Sequence, residues 1–329
     1  MASTRPKIGY FLSCEEYGPA ELLDQARRAE EAGFESLWIS DHFHPWNDEQ
    51  GESPLVWSMI GAISQVCSLP ITSAVTCPTI RQHPALVAQA AATSAVLTEG
   101  RFILGVGSGE ALNEHVVGAR WPDASVRLSM LDEAVEVMRR LWEGGWVDHH
   151  GEHYTVENAK LYTRPDEPVP VYVSGFGPQA AQLAGRIGDG FVTTAPDEEM
   201  IGTFRDGGGG DKPVQAGYKV CYGPDEDTCV ETAHRIWGNS GLPGELAQIL
   251  PSPKHFEQAS QLVTPDATRE SVACGPDVDA HVEAFRPFAE AGVDVVHISQ
   301  IGGRESDTNA AAFFDFYRDK VLPRLREIS

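Results

Sequence analysis

Three side chains able to move or hold a proton, and one amide beyond them, follow apolar runs. Asp41 and His42 follow SLWIS, Glu110 follows FILGVGSG, and Asn113 lies one helical turn further on. An imidazole that titrates near neutrality can take a proton in one step and return it in the next, which makes His42 the candidate proton carrier. Asp41 can orient a ring or a ligand; its plainer role is a helix cap beside a surface histidine. Glu110 can donate or hold a proton, and Asn113 offers both a donor and an acceptor to a heterocyclic edge. The plainer alternative for that pair is service at the start of a helix. Trp46, just beyond Pro45, is a large indole outside any strand, placed to lid a pocket or to anchor its loop. Gly175-Phe176-Gly177-Pro178 reads as a strand-to-helix turn whose backbone N–H groups could receive a phosphate.

What must position these groups is a chain in which strand-like and helix-like segments alternate. Eight buried strands are predicted over 7–12, 36–41, 71–76, 101–109, 170–175, 190–194, 217–222 and 293–299. Helices are predicted over 20–31, 57–66, 126–142, 178–187 and 310–326, with another starting near Pro84. Continuously apolar strands between helices mean that both sheet faces are covered, the pattern of a parallel α/β fold. The echo between EAGFESLWIS (31–40) and EAGVDVVHIS (290–299) fits a ring of repeated βα units. The expected fold is therefore a (β/α)8 TIM barrel in a single domain over 1–329, with insertions after strands four and seven at about 145–168 and 239–268. The first insertion is expected to pair 153–156 with 159–162, and the glycine run 207–210 to form an exposed loop. In such a barrel chemistry gathers at the C-terminal strand ends, where the residues above converge from several different turns. A doubly wound sheet would instead want a phosphate-binding GxGxxG at its first turn, which here reads CEEYGP (14–19).

Composition narrows the partners. The 329 residues carry 48 acids against 25 Lys and Arg, a formal charge of −23. That excludes a nucleic-acid backbone and disfavours an anionic membrane surface. No apolar run reaches bilayer length, and the start shows no signal-peptide core, so a cytoplasmic protein is expected. The six cysteines make no CxxC pair and read as free thiols. Scarce lysine among many acids suggests a salt-rich, halophilic interior. HHGEH (149–153) lacks the spacing of a zinc-binding helix, and no GxSxG elbow occurs, so neither a metal nor a serine nucleophile is expected.

Asp41-His42 with Pro45-Trp46, GVGSGEALNEHVVGARWP (105–122) and RLSMLDEAVEVMRRLW (127–142) together resemble the bacterial-luciferase-like superfamily. Within it they resemble the F420-dependent glucose-6-phosphate dehydrogenase group and related F420-dependent oxidoreductases, over nearly the whole chain. The resemblance implies a barrel, usually dimeric, that holds coenzyme F420 at its mouth. It implies hydride transfer to F420 from a hydroxyl-bearing carbon of a sugar, sugar phosphate or other alcohol. His42 then corresponds to the base, Glu110 to a proton donor on the reduced-cofactor side, and Trp46 to an aromatic shaping the reacting face. Asp41, Gly109 and Asn113 correspond to cofactor contacts. A non-proline cis peptide at Ala74–Val75 would back the ring system, with Cys77 in place of a threonine. Ser174, Gly175, Phe176 and Gly177 correspond to the phosphate end of the cofactor. Thr194, Asp197 and Arg269 fall on the substrate pocket, where relatives hold a sugar phosphate with two lysines and an arginine. Asp197 and an uncharged stretch near Ala247 occupy the lysine positions, so a dianionic phosphate should bind poorly, and Asp197→Lys should improve its use. The same family leaves open an F420H2-dependent reductase and an FMN-dependent monooxygenase-like enzyme. A non-catalytic cofactor-binding protein is the reading outside enzymology.

Overall fold

The computed structural model describes residues 5–303 and 310–328. Its strands are β1 (Lys7–Leu12), β2 (Leu37–Ile39), β3 (Ile71–Ser73) and β4 (Phe102–Val106). A hairpin of β5 (Val147–His150) and β6 (Thr155–Ala159) follows, then β7 (Val171–Ser174), β8 (Gly190–Thr193) and β9 (Val214–Cys221). The two-residue β10 (Ala273–Cys274) and β11 (Val295–Gln300) complete the set. Eight of them pair in parallel around a ring in the order β1, β2, β3, β4, β7, β8, β9, β11, closed by β11 on β1 and by β8 on β9. Outside the hairpin, helices make the crossovers between successive strands, as parallel pairing requires. This is the expected (β/α)8 barrel, and all eight sequence-predicted strands fall on ring members.

The barrel interior is a separate cluster of Phe11, Trp38, Tyr172 and Val192, packed with Ala74, Val75 and Ile103. Below it Trp38 stacks on His297 with ring centres 4.5 Å apart, and Trp38 Nε1 donates to Gln215 Oε1 at 2.5 Å. Room for this pair comes from Gly9, where a Cβ would lie 2.2 Å from the His297 ring. Burial lowers the His297 pKa to about 3. An unfolded histidine binds its proton near pH 6.5, so between 6.5 and 3 the unfolded chain holds the extra proton. Stability from this group is therefore lost as pH falls, at about 1.4 kcal/mol per pH unit. Denaturant midpoints measured between pH 6.5 and 5 should fall more steeply for the native chain than for His297→Asn. Equal slopes would mean that the folded imidazole is not held neutral.

Two expectations of detail are corrected. The hairpin pairs Val147–His150 with Thr155–Ala159, not 153–156 with 159–162. The register is set by Glu133 of the helix Ala124–Glu143, which accepts from His153 N and Tyr154 N, each at 2.9 Å, and pairs with His149 Nε2 at 2.9 Å. HHGEH is thus a clamp, and no metal-holding group of three or more His, Cys, Asp or Glu occurs among the described residues. The 207–210 run is exposed at Gly208 and Gly210 but is not a free loop. It extends the helix Glu198–Phe204 by a wide turn over Arg205–Gly209, in which Gly209 is buried. The segment between β9 and β11 forms short helices, among them Leu246–Ile249, Pro253–Ser260 and Pro265–Ser271. It reaches the barrel mouth through Phe256, whose ring sits 5.0 Å from that of Trp46. All six cysteines are free and buried.

Candidate active site

β2, β3 and β4 lie side by side and parallel, so the residues after them emerge at one end of the barrel. Asn113, in the single turn Ala111–Glu114, ties them together. Its Oδ1 accepts from Phe43 N at 2.7 Å and His44 N at 3.0 Å, which fixes the direction of its amide. Its Nδ2 donates to Glu110 Oε1 at 2.6 Å and lies 2.9 Å from His42 Nδ1. The other imidazole nitrogen, Nε2, is 3.3 Å from Glu15 Oε1 and 3.6 Å from Glu110 Oε1. Trp46 covers the ring, with centres 5.0 Å apart. His42, Glu110, Asn113 and Trp46 are therefore brought to one place from two βα turns.

Both protons of a charged His42 have acceptors. Nδ1–H can reach His44 O at 3.2 Å, and Nε2–H faces Glu15 and Glu110. In the neutral ring Asn113 Nδ2 can donate to a bare Nδ1. A proton on Nδ1 would face the Asn113 N–H, so the fixed amide selects the tautomer with Nδ1 bare and Nε2 toward the two carboxylates.

Glu15 was not singled out from the sequence. Its signal lay in CEEYGP, the turn after β1, which was read only for its failure to resemble a phosphate loop. The carboxylate is buried and accepts on Oε2 from Ser13 Oγ at 2.9 Å and Ser40 Oγ at 2.6 Å. Burial alone would raise its pKa. The charges of His42 and Lys219 and the Ser40 hydroxyl outweigh that and hold it below the ordinary carboxylate value.

Asp41 is spoken for on both oxygens. It accepts from Thr76 Oγ1 and Gln82 Nε2 at 2.9 Å and from an Arg81 guanidinium nitrogen at 3.0 Å. Arg81, likewise missed, also donates its backbone N–H to Glu114 Oε2 at 2.7 Å. Burial pushes the Glu114 pKa up to about 7, with Arg81 pulling it back and the nearby acids adding to the rise. Burial also raises the Cys77 thiol, so Cys77 stays protonated.

Glycine keeps the recess beside these groups free of side chains. The Ala74–Val75 peptide is cis, as the resemblance implies. A Cβ on Gly107 would come within 2.8 Å of Val75 Cγ2 and 3.9 Å of Cys77 Sγ and Ser174 Cβ, so only glycine leaves this floor clear. Gly109 turns the chain toward Glu110 with φ +89°. At the recess edge Gly177 precedes the helix Pro178–Ile187 in extended conformation with open space beside it, and Phe176 is exposed.

Two of the three substrate-pocket candidates have partners of their own. Thr194 is exposed. Asp197 caps the helix Glu198–Phe204, accepting from Glu199 N and Met200 N at 3.0 Å. Arg269 is exposed and ion-paired to Glu226 and, at 2.6 Å, to Asp227.

The family model for luciferase-like monooxygenases matches residues 6–295. An F420-dependent glucose-6-phosphate dehydrogenase of Beutenbergia cavernae is 36% identical, over 97% of this chain and 97% of its own. The corresponding protein of Amycolatopsis mediterranei is 34% identical, over 98% and 99%. The solved structure of an F420-dependent secondary alcohol dehydrogenase with an F420–acetone adduct matches at TM-score 0.89 and 36% identity, over 98% of this chain and 100% of that one. A coenzyme F420-dependent tetrahydromethanopterin reductase from Methanopyrus kandleri shares the fold, at TM-score 0.75 and 21% identity.

Proposed function

Because the chain belongs to the luciferase-like monooxygenase family, we infer from its site that it is an F420-dependent dehydrogenase that oxidises a hydroxyl-bearing carbon. The observation that carries this is His42, held by Asn113 and flanked by Glu15 and Glu110 beside the glycine-floored recess. Val75, Cys77, Gly107, Gly109 and Ser174 would hold the ring system, and the Gly175–Gly177 turn its phosphate. Coenzyme F420, when bound, supplies the carbon that accepts hydride. His42 takes the hydroxyl proton of the substrate, and the imidazolium so formed lies against the Glu15 carboxylate. Asn113 and the His44 carbonyl keep the ring from turning. Trp46, braced by Phe256, shields the reacting face from water. Glu110, within reach of both His42 and Asn113, can return a proton on the cofactor side. The same residues serve the reverse reaction.

The substrate is a neutral alcohol rather than a sugar phosphate, since Asp197 and Arg269 are both committed elsewhere. The test is loss of oxidised F420 absorbance with a panel of alcohols, sugars and sugar phosphates. Absence of reduction by any alcohol would overturn the reading.

The protein acts as a homodimer. Leu86, Val96 and Leu97 on the helix Pro84–Leu97 and Leu55 before the helix Val56–Ile63 are exposed on neighbouring elements, an apolar face that a second copy would cover. Light scattering should give twice the 35.7 kDa chain mass, and Leu86→Glu should halve it. A native monomer would refute this. No described helix is long and apolar enough to cross a membrane, and six buried free thiols suit a reducing cytoplasm.

A further inference from the structure

Lys219 is used by none of the steps above. It lies in the C-terminal half of β9, two residues after Gly217, where a Cβ would lie 2.5 Å from the Trp38 ring. Strand alternation therefore points Lys219 into the barrel, one layer nearer the mouth. Its ammonium lies 3.8 Å from the ring centre of Trp237 and 4.5 Å from that of Phe11. Aromatic faces attract a cation but do not use its N–H donors as an oxygen does. Among the described residues no oxygen takes a hydrogen bond from Nζ, and the side chain stays part-exposed. Burial lowers its pKa, while the Glu15 and Glu16 carboxylates hold it up.

Its position separates substrate from cofactor. In the ring order β9 stands opposite β3, whose end carries Val75 and Cys77 on the floor of the recess. His42 and Lys219 both act on the Glu15 carboxylate, so a molecule reacting at His42 lies within the same part of the mouth as Lys219. Local charge then selects its chemistry. Glu15 and Glu16 set two carboxylates beside one ammonium, so an added anion would be repelled where a neutral oxygen is welcomed.

We propose that Lys219 is a specificity-determining residue whose ammonium receives a second, uncharged oxygen of the substrate, a hydroxyl or carbonyl next to the carbinol that His42 deprotonates. This rests on the dehydrogenase reading and narrows its substrate class to diols and hydroxyketones. Losing a hydrogen bond to a charged group costs about 10- to 100-fold in kcat/KM.

The experiment compares 2-butanol, 2,3-butanediol and lactate with the F420-loaded enzyme. The native protein should favour the diol over 2-butanol by about 10-fold or more, chiefly through KM, and should use lactate least. Lys219→Met keeps the stem over Trp237 and removes the donors, so the diol-to-butanol ratio should collapse toward one. Lys219→Arg should restore part of it, and F420 fluorescence titration reports whether each variant keeps its site. Preference of the native enzyme for 2-butanol or lactate overturns the proposal, whatever the variants do. So does a diol preference that survives in Lys219→Met. No F420 reduction by any of the three alcohols also overturns the proposal, whereas only failure across the full panel of alcohols, sugars and sugar phosphates refutes the dehydrogenase reading itself.

Discussion

His42→Ala is expected to slow alcohol oxidation by about 10²- to 10⁴-fold in kcat while changing F420 affinity little, measured by fluorescence titration. The two effects separate because the imidazole and the recess are built from different residues. His42 is gripped by Asn113, Glu15 and Trp46, whereas the floor is Gly107 with Val75, Cys77 and Ser174. Removing the ring takes away the acceptor of the hydroxyl proton. It leaves Asn113 still bound to Phe43 N, His44 N and Glu110, so the loop keeps its path. Unchanged turnover would remove His42 from the role of base and pass it to Glu15 or Glu110. Loss of F420 binding in parallel would show that the ring also supports the recess.

The ring of strands could be read from the sequence because each strand is a local signal, an apolar run between helices. His42, Glu110 and Asn113 were legible for a related reason: each lies in the turn that follows such a run, and a closed barrel sends every such turn to one mouth. Glu15, Arg81 and Lys219 were not. Glu15 matters through His42, 3.3 Å away yet distant in sequence, and Arg81 through Asp41 and Glu114 on two other turns. Lys219 sits inside a strand that is otherwise buried except at Tyr218, and only ring closure reveals that it faces the mouth. The hairpin register was lost for the same kind of reason, since Glu133 on a helix decides it. Asp197 shows the converse. Its placement by resemblance was silent about the two backbone N–H groups it caps, although an acid before Glu-Glu at a helix start is itself a capping signal.

That cap bears on the second large effect. Glucose 6-phosphate should show kcat/KM about 10²- to 10⁴-fold below that of a good neutral alcohol. Each cation missing from a phosphate site costs about 1.5–3 kcal/mol, and two are missing. Arg269 does not compensate, because Glu226 and Asp227 hold it on the exposed face of its helix. The expectation from resemblance was that Asp197→Lys would improve use of the phosphate. The structure points the other way: the substitution deletes a cap worth about 1 kcal/mol and sets a cation against the positive end of the helix Glu198–Phe204. The lysine would therefore gain little affinity and lower stability, while releasing Arg269 by Glu226→Gln with Asp227→Asn should help more. Kinetics of the two variants with glucose 6-phosphate decide the matter. If the native enzyme already prefers the phosphate, the mouth contains a phosphate-binding cation that neither Asp197 nor Arg269 represents, and the neutral-alcohol assignment falls.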